Sequence, residues 1–476
     1  MARVVILGAG ISGHTAALIA RRRLSKKHSV TVISPKADYN WIPSNIWVGV
    51  GAMQKSEVLI PLKPIYDRMG IEFVQARATE LHPEGDSALD SPFVVTERQE
   101  KIPYDYLINA TGPKLNFGAT PGLGPEGHSV SVCTADHADH AGKQFLDCIE
   151  KMKRGEQQTF LIGTGHGTCT CEGAAFEYVF NVEFELRKYG VRDKARIVFI
   201  TNEAALGDFG VGGLHFKQGG FIVQSKTFAE SLFAERGVES IVGAHVSKVE
   251  AGKAYYETLE GEESTVDFDF AMLLPPFTGT GLQAFSKAGE DITSQFFMPN
   301  GFMRVDADYS GKPYEEWKAS DWPKTYQCPA APNVYAVGIA FAPPHPISMP
   351  RKSAKGTPIT PAPPRTGMPS AIIGRNTAIT IADLIQGKKP KKRASSLTEL
   401  GAACVASAGA NFWSGSAASM TMYPIVQDYD RYPEYGRDLQ YTFGEIGSAG
   451  HWIKRILHTM FIYKAKARPF WWIIPE

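Results

Sequence analysis

Hydrophobic and polar positions along the chain fall first into a strand–helix–strand rhythm. Arg3-Val-Val-Ile-Leu7 is a continuous apolar run of strand length, ended by Gly8-Ala-Gly10-Ile-Ser-Gly13. From Thr15 to Lys27, Ala16, Ala17, Ile19, Ala20 and Leu24 recur at helical spacing, and β-branched Val30-Thr-Val-Ile33 follows. A short buried run, an amphipathic stretch and a second buried run predict a βαβ unit with parallel strands. The rhythm returns at Thr159-Phe-Leu-Ile162, which turns at Gly163-Thr-Gly165-His-Gly167. A helical stretch through Phe176, Val179, Phe180 and Val182 leads on to the strand Arg196–Ile200. The Pro-, Ser- and Lys-rich run from Pro343 to Pro364 reads as an exposed flap. Helical spacing resumes from Pro369 to Gln386, and the basic stretch Lys388–Arg393 reads as a linker to a last segment of different texture.

A chain of 476 residues exceeds what one compact core usually organises, so the pattern implies several domains. The expected fold is α/β, with two Rossmann-type dinucleotide-binding domains and a smaller C-terminal segment. An FAD-type domain is expected over 1–157 and 286–390, a second Rossmann-type domain over 158–285, and the C-terminal segment over 391–476. The net charge of +1 argues against a general polyanion binder, so no nucleic-acid partner is expected. A strand beginning at Arg3 leaves no room for a secretory signal, and no run is long and apolar enough to cross a bilayer. A cytoplasmic protein is expected.

The first glycine turn carries specific chemistry. Gly8, Gly10 and Gly13 form GxGxxG between a strand and a helix. The first glycine permits the turn, the second admits a pyrophosphate, and the third allows close packing of helix on strand. The acid that usually follows the second strand and holds a ribose is missing, because Ile33 is followed by Ser34-Pro35-Lys36. In the second turn Thr168 replaces the third glycine, although Glu203 after the strand ending at Ile200 could hold a ribose. Six cysteines stand at 133, 148, 169, 171, 328 and 404, with no CxxC pair. Buried or redox-active thiols are therefore expected rather than a zinc site. His137 and His140 are three apart, but no metal is expected.

Asn109-Ala110-Thr111-Gly112 resembles the strand end that closes over FAD in two-dinucleotide-fold flavoproteins. A series of segments, in order, then resembles the sulfide:quinone oxidoreductases. They are Ser131-Val-Cys133, Cys171-Glu-Gly-Ala-Ala-Phe-Glu177, Gly207-Asp-Phe-Gly-Val-Gly-Gly213, Leu274–Gly279, Gly338–Pro344, Pro364-Arg-Thr366-Gly367 and Ala402-Ala-Cys404. The resemblance implies FAD as cofactor, with Gly338, Thr366 and Gly367 joining the glycine turn and Ala110, Thr111 and Gly112 around it. It implies Cys171 and Cys404 as the redox pair, Cys133 near the cofactor, and sulfide and a membrane quinone as reaction partners. Cys171 rather than Cys169 fits the register because Gly173, Ala175 and Glu177 follow it at the family spacing. Glu177 is the candidate acid or base, since burial near a flavin can raise a carboxyl's pKa. Asp208 stands where relatives carry histidine, which leaves its role open.

The tail has its own signature. Trp452, Ile453, Ile456, Leu457, Met460, Phe461 and Tyr463 fall at helical spacing, flanked by Lys454, Arg455, Lys464, Lys466 and Arg468. With Trp471 and Trp472 as headgroup-level anchors, this predicts an interfacial helix on a lipid bilayer surface. The expected localisation is peripheral, on the cytoplasmic side of the membrane. Assembly into a homo-oligomer is compatible with the sequence. Two other readings remain open: an NADH:quinone oxidoreductase using Glu203, and a redox-sensing flavoprotein without turnover.

Overall fold

In the computed structural model, which describes every residue except Cys171 and Phe412, the elements follow the rhythm of the sequence. The N-terminal part supplies β1 (Arg3–Leu7), α1 (Ile11–Arg23), β2 (Ser29–Ile33), β3 (Glu72–Val74), β4 (Tyr106–Asn109) and α2 (Ala135–Lys153). The middle supplies β5 (Gln158–Thr164), α3 (Glu172–Lys188), β6 (Ala195–Ile200), β7 (His215–Gln218), β8 (Phe221–Gln224), β9 (Glu239–Ile241) and β10 (Phe270–Leu274). The remainder adds β11 (Gln327–Cys328), β12 (Ala331–Ala336), α4 (Gly367–Ile385), β13 (Ala402–Ala408), β14 (Ser416–Met422), β15 (Phe443–Gly447) and α5 (Ser448–Ala465).

Three sheets organise the site. The first has the order β11-β12-β4-β1-β2-β3 and is parallel except at its β11 edge. Its register sets Leu7 opposite both Ile33 and Asn109, and Asn109 opposite Ala336. The carboxyl ends of β1, β2, β4 and β12 are thus level, which is where open parallel sheets place their ligands. The second sheet, β9-β6-β5-β10, is parallel throughout. Its strands β5, β6 and β10 carry the apolar runs, and α3 covers one face through Phe176, Val179 and Phe180.

The α/β expectation therefore holds. What sequence periodicity did not reveal is the third sheet, β8-β7-β15-β14-β13. The hairpin β7–β8 from the middle of the chain completes it, pairing β7 in parallel with β15. The C-terminal strands do not stand alone, and α5 packs across β13 and β14. At the other end of the molecule α4 lies against α1. A Cβ on Gly374 would come within 2.4 Å of the Ser12 carbonyl oxygen, and the Ser12 hydroxyl donates to the Ser370 carbonyl at 2.9 Å. That closeness joins the first helix to the segment carrying Thr366 and Gly367.

Candidate functional site: a nucleotide cradle facing a thiol and an ion pair

The first glycine turn fits a pyrophosphate. Gly8 has φ +91°, and a Cβ there would lie 2.3 Å from the Ala110 carbonyl oxygen. A Cβ on Gly13 would lie 2.0 Å from the Gly8 carbonyl oxygen and 3.1 Å from the Ala110 Cβ. Gly10 differs from both: nothing lies within 4 Å of its Cβ position, and it begins α1 as N-cap. The turn is therefore tight on its protein side and open on the side where the free amides of the first helical turn point. Gly112, at φ +69°, is likewise open. Gly338 abuts the Ser12 hydroxyl, and Thr366 is the N-cap of α4. Ala110, Thr111, Gly112, Gly338, Thr366 and Gly367 thus come to one edge of the first sheet beside Gly8, Gly10 and Gly13. These residues fit FAD.

The thiol site is built around the start of α3. The Cys404 sulfur lies 3.5 Å from the Cβ position of Gly173, so β13 delivers this thiol to the first turn of α3. Cys171 lies outside the described residues. Burial pushes the Cys404 thiol up to about 11; the Glu177 carboxylate adds to the rise and the Lys454 ammonium opposes it. Burial also pushes the Cys133 thiol up to about 11. Cys169 is fully buried and donates to the Leu274 carbonyl at 3.0 Å. Cys148 and Cys328 are buried too.

Glu177, the candidate acid or base, is buried and already partnered. It pairs with Lys454 of α5 and accepts the Ser407 hydroxyl and, at 3.1 Å, the Ser407 amide. Trp47 Nε1 donates to the same Ser407 hydroxyl at 3.1 Å, and Asn181 Nδ2 donates to the Ser407 carbonyl at 2.6 Å. Every polar group of Ser407 is engaged, which fixes the strand three residues beyond Cys404.

The second glycine turn is closed by the protein itself. The Gly167 amide donates to His245 Nδ1 at 2.9 Å, and a Cβ on Gly167 would lie 2.3 Å from the Pro358 carbonyl oxygen. Thr360 and Ala362 of the flap donate their amides to the Gly167 and Cys169 carbonyls at 2.8 and 2.9 Å. Glu203 is not aimed at a ribose. It is 1% exposed and accepts the Phe209 amide at 2.6 Å and the Thr201 hydroxyl at 2.9 Å. Burial, with the Asp208 charge behind it, pushes Glu203 up to about 8.

Sequence reasoning missed Glu172, which is buried in the first turn of α3 beside Glu203 and Asp208. A glutamate there reads from sequence as an ordinary helix-start acid, and no spacing rule marks it as enclosed. Asp208 accepts the Ser348 hydroxyl and the Gly210 amide. His137 packs edge-on against Phe117 and His140 meets Gln144. Among the described residues no group of three metal-ligating side chains occurs.

The C-terminal helix is amphipathic in a different sense from that expected. Trp452, Ile453, Ile456, Leu457 and Met460 are exposed. Lys454 and Lys464, expected as surface cations, are buried; Lys464 pairs with Glu476 at 2.8 Å. Phe461 stacks on Trp41 at 5.0 Å. Trp471, which follows Phe470 at φ 62°, is buried, and the exposed large apolar side chains of the tail are Phe470, Trp472 and Ile473. The outward face is largely apolar; Lys454 and Lys464 turn inward, while Arg455 and Lys466 are half-buried and Arg468 is exposed. Among the described residues no helix is long and apolar enough to cross a membrane.

Comparison with known proteins agrees with this layout. The pattern of the pyridine nucleotide-disulphide oxidoreductases matches residues 2–186. A sulfide-quinone reductase of Aquifex aeolicus is 29% identical over 463 residues, 97% of this chain and 91% of that protein. The X-ray structure of the sulfide:quinone oxidoreductase from the same bacterium superposes with a TM-score of 0.76 at 28% identity, covering 98% of this chain and 92% of that one. A mitochondrial sulfide:quinone oxidoreductase of Dictyostelium discoideum is 25% identical over 309 residues, 64% of this chain and 61% of that protein. The likeness read from the ordered segments thus extends over nearly the whole chain, and FAD is the cofactor of this fold.

Two measurements test the site. Gly10→Val, at an ordinary φ and with free space around its Cβ, should leave the apoprotein folded by circular dichroism and remove bound FAD from the purified protein. Glu203 keeps its proton in the folded state up to about 8 but loses it near 4.5 when unfolded. Its contribution to stability is thus complete below about 4.5 and is lost as pH rises toward 8. Chemical denaturation of Glu203→Gln should show a flatter decline across that window than the parent.

Proposed function

As an FAD-dependent oxidoreductase of the pyridine nucleotide-disulphide fold, the protein needs an electron donor and an acceptor, and we propose that these are sulfide and a membrane quinone. The observation that carries the reading is the placing of the Cys404 sulfur 3.5 Å from the Cβ position of Gly173. It brings the distant C-terminal thiol to the segment that begins with Cys171. In this reading Cys171 and Cys404 are the redox pair, with Cys133 near by. Bound FAD supplies a two-electron acceptor that quinone can empty.

The chemistry of the residues follows from their surroundings. A thiol raised to about 11 rests protonated, so the resting nucleophile is sulfide rather than Cys404. Sulfide attacks sulfur carried by the pair. Overall, HS⁻ yields zero-valent sulfur, one proton and two electrons, and the electrons leave with quinone. Lys454 favours the Cys404 thiolate that departs in that exchange. Glu177 holds Lys454 and Ser407 in place, which keeps β13 against α3. The apolar outward face of α5 with Phe470, Trp472 and Ile473 rests on the lipid surface. Quinone arrives from that side, and the enzyme is peripheral on the cytoplasmic face.

The closed second turn weighs against the NADH reading: a nicotinamide nucleotide would meet the flap, a Gly167 amide already bonded, and a Glu203 already enclosed.

The deciding experiment is anaerobic mixing of the FAD-loaded protein with sulfide. Cys404→Ser and Cys171→Ser should each lower the rate of flavin bleaching at least a hundredfold with FAD retained, whereas Cys148→Ser and Cys328→Ser should stay near the parent. Rapid bleaching by NADH, or full turnover in Cys404→Ser, would remove the proposal. For the lipid contact, Ile453→Glu with Ile456→Glu should abolish co-sedimentation with vesicles while sulfide still bleaches the flavin.

A further inference from the structure

Glu172 has no part in the ion pair, the cradle or the thiol pair. It is 1% exposed, and among the described residues neither of its carboxylate oxygens has a hydrogen-bond partner. The nearby Asn202 amide nitrogen is occupied, donating to the Gly167 and Cys169 carbonyls at 3.2 Å. An enclosed carboxyl without a partner is costly to ionise and gains nothing structural from being acidic. Such a group marks a site where protons are handled.

Its surroundings extend outward in a line. Glu172 follows directly on position 171, and the next residue, Gly173, faces the Cys404 sulfur. The Glu172 Oε2 lies 3.5 Å from the Cβ position of Gly210. The Gly210 amide in turn donates to Asp208 Oδ1 at 3.0 Å. Glu203 is tied to the same turn through the Phe209 amide. Glu172 and Glu203 are sealed, while Asp208 is only partly buried and opens the line to the surface. The groups facing Glu172 are Glu203, Asp208 and the Cys169 thiol; those facing Asp208 include Arg351, Arg437 and Tyr314.

We infer that Glu172, Glu203 and Asp208 form a proton exit from the thiol end of α3 to the turn at Asp208. The inference rests on the proposed sulfide chemistry for the source of its protons. Oxidation of one HS⁻ to zero-valent sulfur frees one proton in a closed space, while the two electrons leave by another path. Glu172 takes that proton on one oxygen as it yields its own from the other, and Asp208 releases one to solvent. Charge is conserved at each transfer. Burial, with Glu203 behind it, holds the Glu172 carboxyl well above the usual carboxylate range, and burial raises Asp208 as well.

The test uses the FAD-loaded enzyme and two readouts. In the infrared, one component of the neutral carboxylic acid carbonyl band at neutral pH should be absent from Glu172→Gln, leaving that of Glu203. On transfer to heavy water the shift of the Glu172 component should be at least tenfold slower in Asp208→Asn. In anaerobic mixing, Glu172→Gln should be reduced by sulfide at least tenfold more slowly, with a pH profile unlike the parent's, and Glu172→Asp should restore part of the rate. Reoxidation by quinone should be unchanged. A parent without the Glu172 component, exchange indifferent to Asp208→Asn, or a Glu172→Gln enzyme with the parent's rate and pH profile would each overturn the exit. A parent that sulfide fails to reduce would overturn the assignment of the donor instead, and the infrared exchange would still decide whether the line carries protons.

Discussion

The buried ion pair between Glu177 and Lys454 ties together three parts of the chain that are far apart in sequence. Glu177 belongs to the helix of the second nucleotide-type unit and Lys454 to the C-terminal helix, while Ser407, which donates to the same carboxylate, belongs to the strand of Cys404. Two charges in an enclosed place are expensive separately; removing one partner of such a pair typically costs about 3–5 kcal/mol. The arrangement is therefore close to all-or-none. Either α3, β13 and α5 dock together, or a bare charge is left inside. The Cys404 thiol on β13 inherits that rigidity.

How much of this was legible in the sequence depended on how local its cause was. Leu7, the Gly8–Gly13 turn and α1 were readable because strand, turn and helix are each set by neighbouring residues. The family likeness was readable because its segments keep their order and spacing. Lys454 was misplaced because a helical wheel shows only that it lies between Ile453 and Arg455. Its inward turn is imposed by a carboxylate 277 residues away. Trp471 failed at a local feature of another kind, the left-handed residue Phe470 that precedes it. Glu172 was invisible because enclosure is a property of packing: the turn at Gly210 and the flap at Ala362 close over it.

The two glycine turns show how one piece of backbone geometry diverges. The first keeps Gly10 open, so that its helix amides face a cavity that a phosphate can enter. In the second, Gly163 and Gly165 still permit the bend, yet His245 takes the Gly167 amide and the flap occupies the approach. The fold is retained there as a scaffold for α3, which carries Gly173 and Glu177 to Cys404.

That closed turn also bears on how specificity could change. The missing glycine at Thr168 is the visible blemish in the motif, but it is not what bars a nucleotide. The bar is the strap from Pro358 to Ala362, laid along Gly167 and Cys169 by backbone hydrogen bonds that are indifferent to side-chain identity. Restoring the consensus letter would repair the signature and leave the door shut. Access to a second electron donor would have to come from shortening a loop. Lineages that lose or gain this strap would then differ in fuel while showing the same glycine motif.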